Sequence, residues 1–239
     1  MQPAYKTDWQ VKKVMKKAQL ATILRGRGQK YSEVLGIHVS DGETEIFKWF
    51  VASLLFGAPI SEATAIKTYR CFEKHGVLTP VKMLKTGWNG LVSILDEGGY
   101  TRYDYKTADK ITVVMKNLTA KYSGNLDFIH DKAVDSNDLE EKLKDLGKGI
   151  GEVTVSIFLR ELRGVWAKAD SKPTNLEILA AEELGILKSN APAGDALENL
   201  KAFWNENRAA GYSFVNFETA LLRLGRELRK KRKRSDPAA

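Results

Sequence analysis

The residues best suited to chemistry in this chain lie in one segment, Leu143-Lys144-Asp145-Leu146-Gly147-Lys148-Gly149-Ile150-Gly151-Glu152-Val153-Thr154. Glycines on either side of one apolar residue at a helix start let the backbone come close to an anion, and the amides of residues 151–154 face outward at the positive end of the helix dipole. Such a turn binds phosphate. Lys148 adds a cation beside it, the Thr154 hydroxyl is placed to close it, and Glu152 is accounted for by the dipole alone. A plain glycine-rich helix–helix connection satisfies the same pattern.

A second cluster, Tyr100-Thr101-Arg102-Tyr103-Asp104-Tyr105, follows the paired glycines Gly98 and Gly99. Tyrosines stack on bases and a guanidinium contacts phosphate, so Arg102 with Tyr100 and Tyr103 suits a pocket for an unpaired nucleotide. Half-buried tyrosines with wetted hydroxyls are the alternative. Trp49, Trp88, Trp166 and Trp204 read as core or packing residues. His38, His75 and His130 show no metal-ligand spacing, so no side-chain metal site is expected.

The elements that must position these residues are bounded by composition. A chain of 239 residues, 43% hydrophobic and 28% charged, buries one substantial core or two small lobes. Its single cysteine, Cys71, excludes an internal disulfide and a four-cysteine zinc or iron–sulfur site, and points to a reducing compartment. The longest apolar stretch, residues 50–60, is far shorter than the roughly 20 residues of a membrane-spanning helix. The start of the chain lacks the apolar core of a signal peptide, so an intracellular protein without a membrane partner is expected. The net charge of +8 is concentrated at the ends: residues 1–30 carry eight Lys/Arg against one Asp, and residues 223–239 carry eight against two acids. A fold uniting the ends would present a strong positive field to a polyanion. The run Arg229–Arg234 by itself reads as a disordered basic tail over 229–239.

Helical periodicity dominates, and no alternating strand pair joined by a hairpin turn is found, so the expected class is all-α. Helices are predicted at about Asp8–Arg25, Glu43–Gly57, Ser61–His75, Pro80–Leu84, Gly90–Leu95, Tyr105–Tyr122, Leu139–Leu146, Glu152–Arg163, Asn175–Leu184, Ala196–Asn207 and Phe214–Arg229. No solenoid repeat is present.

The hairpin segment resembles the helix-hairpin-helix of the endonuclease III-like DNA glycosylase superfamily. Two upstream segments agree in order and spacing. Phe47-Lys48-Trp49-Phe50-Val51-Ala52-Ser53-Leu54-Leu55 resembles the family's first core helix, and Gly98-Gly99-Tyr100 with Lys106-Thr107-Ala108-Asp109-Lys110-Ile111 resembles the segment before the hairpin. The likeness covers roughly residues 44–170. It implies a two-lobed fold: a six-helix barrel lobe over 44–165 carrying the hairpin at about 139–163, and a lobe of terminal helices from 1–43 and 166–228. It also implies DNA as the partner, held along its backbone at Lys148, Gly149, Gly151, Glu152, Val153 and Thr154, with a nucleotide extruded into an interlobe cleft. Asp170 stands at the position the family gives its catalytic carboxylate. Read from its own neighbours, Asp170 equally suits the cap of the helix near Asn175.

The departures restrict this reading. Val153 occupies the position of the Schiff-base lysine of bifunctional members, and valine forms no imine. The four-cysteine iron–sulfur loop is missing. Ala52 and Ala58 replace a glutamate and a glutamine that set the specificity of known members. No cofactor is therefore expected beyond a monovalent cation that such a hairpin holds by backbone carbonyls. The expectation is a monomeric, monofunctional DNA N-glycosylase acting in base-excision repair. The alternatives are a non-catalytic DNA-binding protein of the same fold, recognising damaged or structured DNA, and a helical domain that binds RNA or protein.

Overall fold

A computed structural model describes residues 17–188 and 193–235, and every regular element among them is helical, with one isolated backbone bridge between Arg163 and Trp166. In chain order the helices are α1 (Lys17–Arg27), α2 (Tyr31–Val34), α3 (Glu43–Phe56), α4 (Glu62–Lys74), α5 (Pro80–Gly98), α6 (Asp104–Tyr122), α7 (Asp127–Lys132), α8 (Ser136–Lys144), α9 (Glu152–Glu161), α10 (Asn175–Glu183), α11 (Ala193–Asn207) and α12 (Phe214–Ser235), with a 3-10 turn at Val39–Asp41. The expected start of the first helix, including Asp8, lies outside the described residues. The chain divides into two compact units, one of residues 30–172 and the other of the described residues up to 29 and from 173 onward.

The mid-chain unit is built on α3, which after a charged first turn is almost wholly apolar, Lys48 apart, and buries ten of its fourteen residues. Such a helix is stable only when other helices enclose it. One of them is α9, whose Phe158 carbonyl accepts the Trp49 indole N–H at 3.0 Å and whose Phe158 ring meets Phe50 edge-on at 5.2 Å. Ser61 caps α4, its hydroxyl accepting from the Thr64 amide at 3.0 Å. Next, α5 starts with Pro80 behind the Thr79 cap. Gly87 breaks this helix at φ +69°, ψ 173°, a conformation that glycine alone adopts without strain. The two short helices expected over this stretch are the two halves of one kinked run.

The unit boundaries fall at 29/30 and 172/173, where the sequence reading placed them at 43/44 and 165/166. The reason is Glu161. Its buried carboxylate accepts the amides of Tyr31 at 2.8 Å and Ser32 at 3.0 Å, so it holds the start of α2 to the end of α9. Burial pushes the Glu161 carboxyl up from its ordinary range, and the Arg160 cation and these amides pull it back. At the other boundary, Trp166 packs edge-on against Phe158 at 5.5 Å, and the Lys168 ammonium donates to the His130 carbonyl at 2.8 Å.

The second unit has its own core of Leu20, Leu24, Ala180, Leu200, Trp204, Phe217 and Leu221. Arg27 pairs both guanidinium nitrogens with Glu227 at 2.8–2.9 Å, and Arg223 donates to the carbonyls of Arg27 and Gln29 at the end of α1. Asn216 donates to the Gly28 carbonyl at 2.8 Å. The stretch read as a disordered tail is helical as far as Ser235. Lys and Arg are good helix formers, and once packing has nucleated Phe214–Leu222, each further residue adds a hydrogen bond without a new nucleation cost. The cations of this last turn also complement the helix dipole.

Two predictions follow from this packing. A Cβ on Gly225 would lie 2.0 Å from the Leu176 carbonyl oxygen, whereas one on Gly194 meets nothing within 4 Å. Gly225→Ala is expected to lose at least about 1–3 kcal/mol in a urea titration, and Gly194→Ala to gain about 0.5 kcal/mol. Glu97 accepts from Lys74 at 2.7 Å and is 2.6 Å from His75 Nε2, contacts that lower its carboxyl to about 2 from an ordinary 4.5. This exposed pairing contributes stability above the unfolded value and loses it as pH falls toward 2. In an NMR titration the Glu97 midpoint should rise toward 4.5 in Lys74→Ala.

Candidate nucleic-acid interface

The turn between α8 and α9 is shaped by where its apolar residues go. Leu146 and Ile150 are buried, and the Ile150 amide donates back to the Gly147 carbonyl at 3.1 Å, which folds the intervening Lys148 and Gly149 outward. Gly149 sits at φ +96°, a region costly for any residue with a Cβ. A Cβ there would also come within 3.2 Å of the Lys110 side chain. Gly151 is the N-cap of α9, carries no capping side chain, and has open space where a Cβ would be. The first i→i−4 bond of α9 runs from the Val155 amide to the Gly151 carbonyl at 3.1 Å. The amides of Glu152, Val153 and Thr154 thus precede the helical ladder, at the positive end of a ten-residue helix.

Flanking elements fix this turn in place. Asn117 of α6 donates to the Leu146 carbonyl at 2.9 Å, and Lys121 donates to the Asp145 carbonyl at 3.3 Å. The carbonyls of Asp145, Leu146 and Gly147 thus already accept from Lys121, Asn117 and Ile150 at the turn where the resemblance implies a monovalent cation. Lys110, which sequence reasoning did not single out, lies between Gly149 and the end of α3, where it donates to the Leu54 carbonyl at 3.3 Å. Burial lowers its ammonium from the ordinary lysine range. Tyr100 serves the same helix end, its hydroxyl donating to the Leu55 carbonyl at 2.9 Å.

Several expected site residues are placed differently. Thr154 is buried and faces α3, so close that a Cβ on Gly57 would lie 2.1 Å from its hydroxyl oxygen. Its hydroxyl is a packing contact between α3 and α9 and does not close the turn toward solvent. Tyr100 is 1% exposed and belongs to the core, so it cannot wall an open pocket. Burial pushes its hydroxyl pKa well above the ordinary tyrosine value. Trp88, read with the others as a core or packing residue, is 39% exposed, whereas Trp49, Trp166 and Trp204 are buried. The hairpin's Lys148, Gly149, Gly151, Glu152 and Val153 are exposed together. Glu152 places a carboxylate beside the free amides and opposes an anion there. Arg102 is exposed with its guanidinium 5.7 Å from the centre of the half-buried Tyr103 ring.

The helix α9 is about 15 Å long at 1.5 Å per residue, and Asp170 follows it by nine residues of irregular chain. Arg163 holds it: one guanidinium nitrogen donates to the Asp170 carboxylate and another to the Ser171 carbonyl. The Asp170 side chain remains 42% exposed and that of Arg163 is 10% exposed. Asp170 does not cap α10, because Thr174 does so in a reciprocal capping box with Glu177. Among the described residues no group of three or more His, Cys, Asp and Glu is placed to hold a metal ion, and no helix is long and apolar enough to cross a membrane.

No protein-family model, curated protein or solved structure matches this chain.

Gly149→Val forces a β-branched side chain into left-handed backbone against Lys110. The variant is expected to lose about 1–2 kcal/mol, with faster amide hydrogen exchange confined to residues 146–154. Unchanged exchange there would remove Gly149 as the determinant of the turn.

Proposed function

We propose that this chain binds the sugar–phosphate backbone of DNA through the α8–α9 hairpin and hydrolyses the N-glycosidic bond of an extruded nucleotide. The observation that carries the reading is the turn itself: a left-handed Gly149 and a side-chain-free Gly151 open the first amides of a firmly packed helix to an anion, with Lys148 exposed beside them. Backbone contacts of this kind give affinity and register without reading sequence.

In this reading the mid-chain unit, residues 30–172, contains the six-helix barrel lobe expected over 44–165, the described residues up to 29 and from 173 onward belong to the lobe of terminal helices, and the protein is an intracellular monomer in base-excision repair. Asp170 supplies the carboxylate. As the C1′–N bond breaks and the base leaves with the electron pair, positive charge develops on the sugar, and an oriented anion stabilises it. The same carboxylate accepts a proton from the water that bonds to C1′ and releases it through solvent to the departing base, so the water ends as the C1′ hydroxyl and the base's new N–H and the carboxylate is regenerated. Arg163 orients Asp170. Val153 offers no amine for a covalent intermediate, so the reaction stops at an abasic site.

The Arg163–Asp170 pair also favours a second reading. A guanidinium on the carboxylate offsets the negative charge that hydrolysis requires, which suits a DNA-binding protein of the same fold that recognises damaged or structured DNA without cleaving it.

One assay separates the two. Full-length protein is incubated with duplex and single-stranded DNA carrying uracil, hypoxanthine, alkylated or oxidised bases, and abasic sites are then split with alkali. Cleavage that depends on alkali, reduced about 10²–10⁴-fold in Asp170→Asn with DNA affinity retained, is the expected result. A shifted band with no base released from any substrate supports the second reading, and nicking without alkali contradicts the role given to Val153. Lys148→Ala should lower the slope of log K against log salt by about 1.

A further inference from the structure

Two of the exposed aromatic residues of the mid-chain unit lie side by side, while a further one, Phe128, stands apart on α7. Trp88 and Tyr105, 39% and 60% exposed, lie with ring centroids 5.3 Å apart at an interplanar angle of 39°. They come from different helices and meet because Gly87 breaks α5 immediately before Trp88. The indole is then locked, its N–H donating to the Asp109 carboxylate at 2.8 Å. Tyr105, Asp109 and Val113 follow at four-residue steps on α6, which places them on one face. That face runs to the hairpin: Val113 lies against Gly147, and Lys110, next to Asp109, lies against Gly149.

The surroundings of the pair bear on its occupant. Asp109 accepts the indole N–H and Asp104 the Tyr105 amide at 2.7 Å, bonds that orient both carboxylates and leave them charged, and Asp104 also interacts with Asp96. Lys85 and Lys106, three residues before Trp88 and one after Tyr105, are exposed. Exposed aromatic faces with two exposed lysines near them in sequence, on a helix face that reaches the hairpin turn, suit unpaired nucleotides, whose bases stack while the phosphates meet cations.

We propose that the Trp88–Tyr105 pair is a stacking platform for an unpaired base of single-stranded or locally opened DNA held at the hairpin. Tyr105 presents its ring to the base, and Trp88, fixed through Asp109, buttresses it from behind. The inference rests on the reading of the hairpin as a DNA-backbone site.

The test is fluorescence anisotropy of a labelled single-stranded oligonucleotide of about 12 nucleotides and of the corresponding duplex, with full-length wild type, Trp88→Ala, Trp88→Phe, Tyr105→Ala and Lys148→Ala. Trp88→Ala and Tyr105→Ala are each expected to weaken single-strand binding about tenfold and to leave duplex binding nearly unchanged. Trp88→Phe keeps a ring and should lose less than Trp88→Ala. Tyr105 is the more exposed of the pair, so its variant tests the platform without disturbing the core. Lys148→Ala should weaken both substrates. Wild-type single-strand affinity in both alanine variants overturns the platform while leaving the hairpin reading intact. Absence of DNA binding by the wild type overturns both. Wild-type self-association in sedimentation that Trp88→Ala abolishes assigns the face to a second copy of the chain and overturns the proposal.

Discussion

The contact between α3 and α9 holds the helix that carries the hairpin at one end and leads to Arg163 at the other. It is closed by three contacts at two residues of α9: Thr154 against Gly57, and Phe158 with its carbonyl under the Trp49 indole and its ring against Phe50. A helix gripped along its length transmits position to both ends. At its N-terminus it presents the hairpin amides, and past its C-terminus it sets Arg163, which in turn holds Asp170. The close approach at Gly57 leaves no room for a Cβ, so the distance between the two helices is fixed by a residue that has no side chain.

The charged groups at the ends of these helices divide by burial. Glu161 is buried with its carboxylate on two backbone amides and Arg160 beside it, an arrangement in which removing one partner costs far more than the pair contributes. It joins residues 31 and 32 to a helix more than a hundred residues later. At the end of α3 the Leu54 carbonyl is met by Lys110, and the Leu55 carbonyl accepts from Tyr100 as well as from the Ala58 amide at 3.3 Å. Two residues whose types suggest nucleic-acid contact are therefore occupied in closing a helix terminus beside the hairpin. Lys148, Lys106, Lys85 and Arg102 are among the cations of this unit that remain exposed.

Gly87 shows how a single backbone position redirects a side chain. A continuous α5 would set Trp88 by the helical period of Met83, Leu91 and Leu95, which are buried. The left-handed kink begins a new helix at Trp88, and the ring emerges beside Tyr105 with its N–H satisfied by Asp109.

Much of the secondary structure was legible in the residues, because its causes are local. Ser61 before Thr64, Pro80 behind Thr79, Gly76 after α4, and the apolar run of α3 mark helix ends and a central helix by their chemistry alone. The hairpin was legible for the same reason: left-handed Gly149 and side-chain-free Gly151 leave their mark in residue type. The short helices α2 and α7 were missed, since each depends on distant groups, α2 on the Glu161 carboxylate and the start of α7 on Trp166, whose indole donates to Asp127 at 2.8 Å. The direction of side chains was not legible either. Thr154, Tyr100 and Trp88 have residue types that suit either a core or a surface, and what separates them is which helix lies opposite. Residue type and near-neighbour spacing determine caps, turns and periodicity, because these involve groups within a few residues of one another. Burial and pairing are decided by tertiary structure, because the partner of each group comes from elsewhere in the chain.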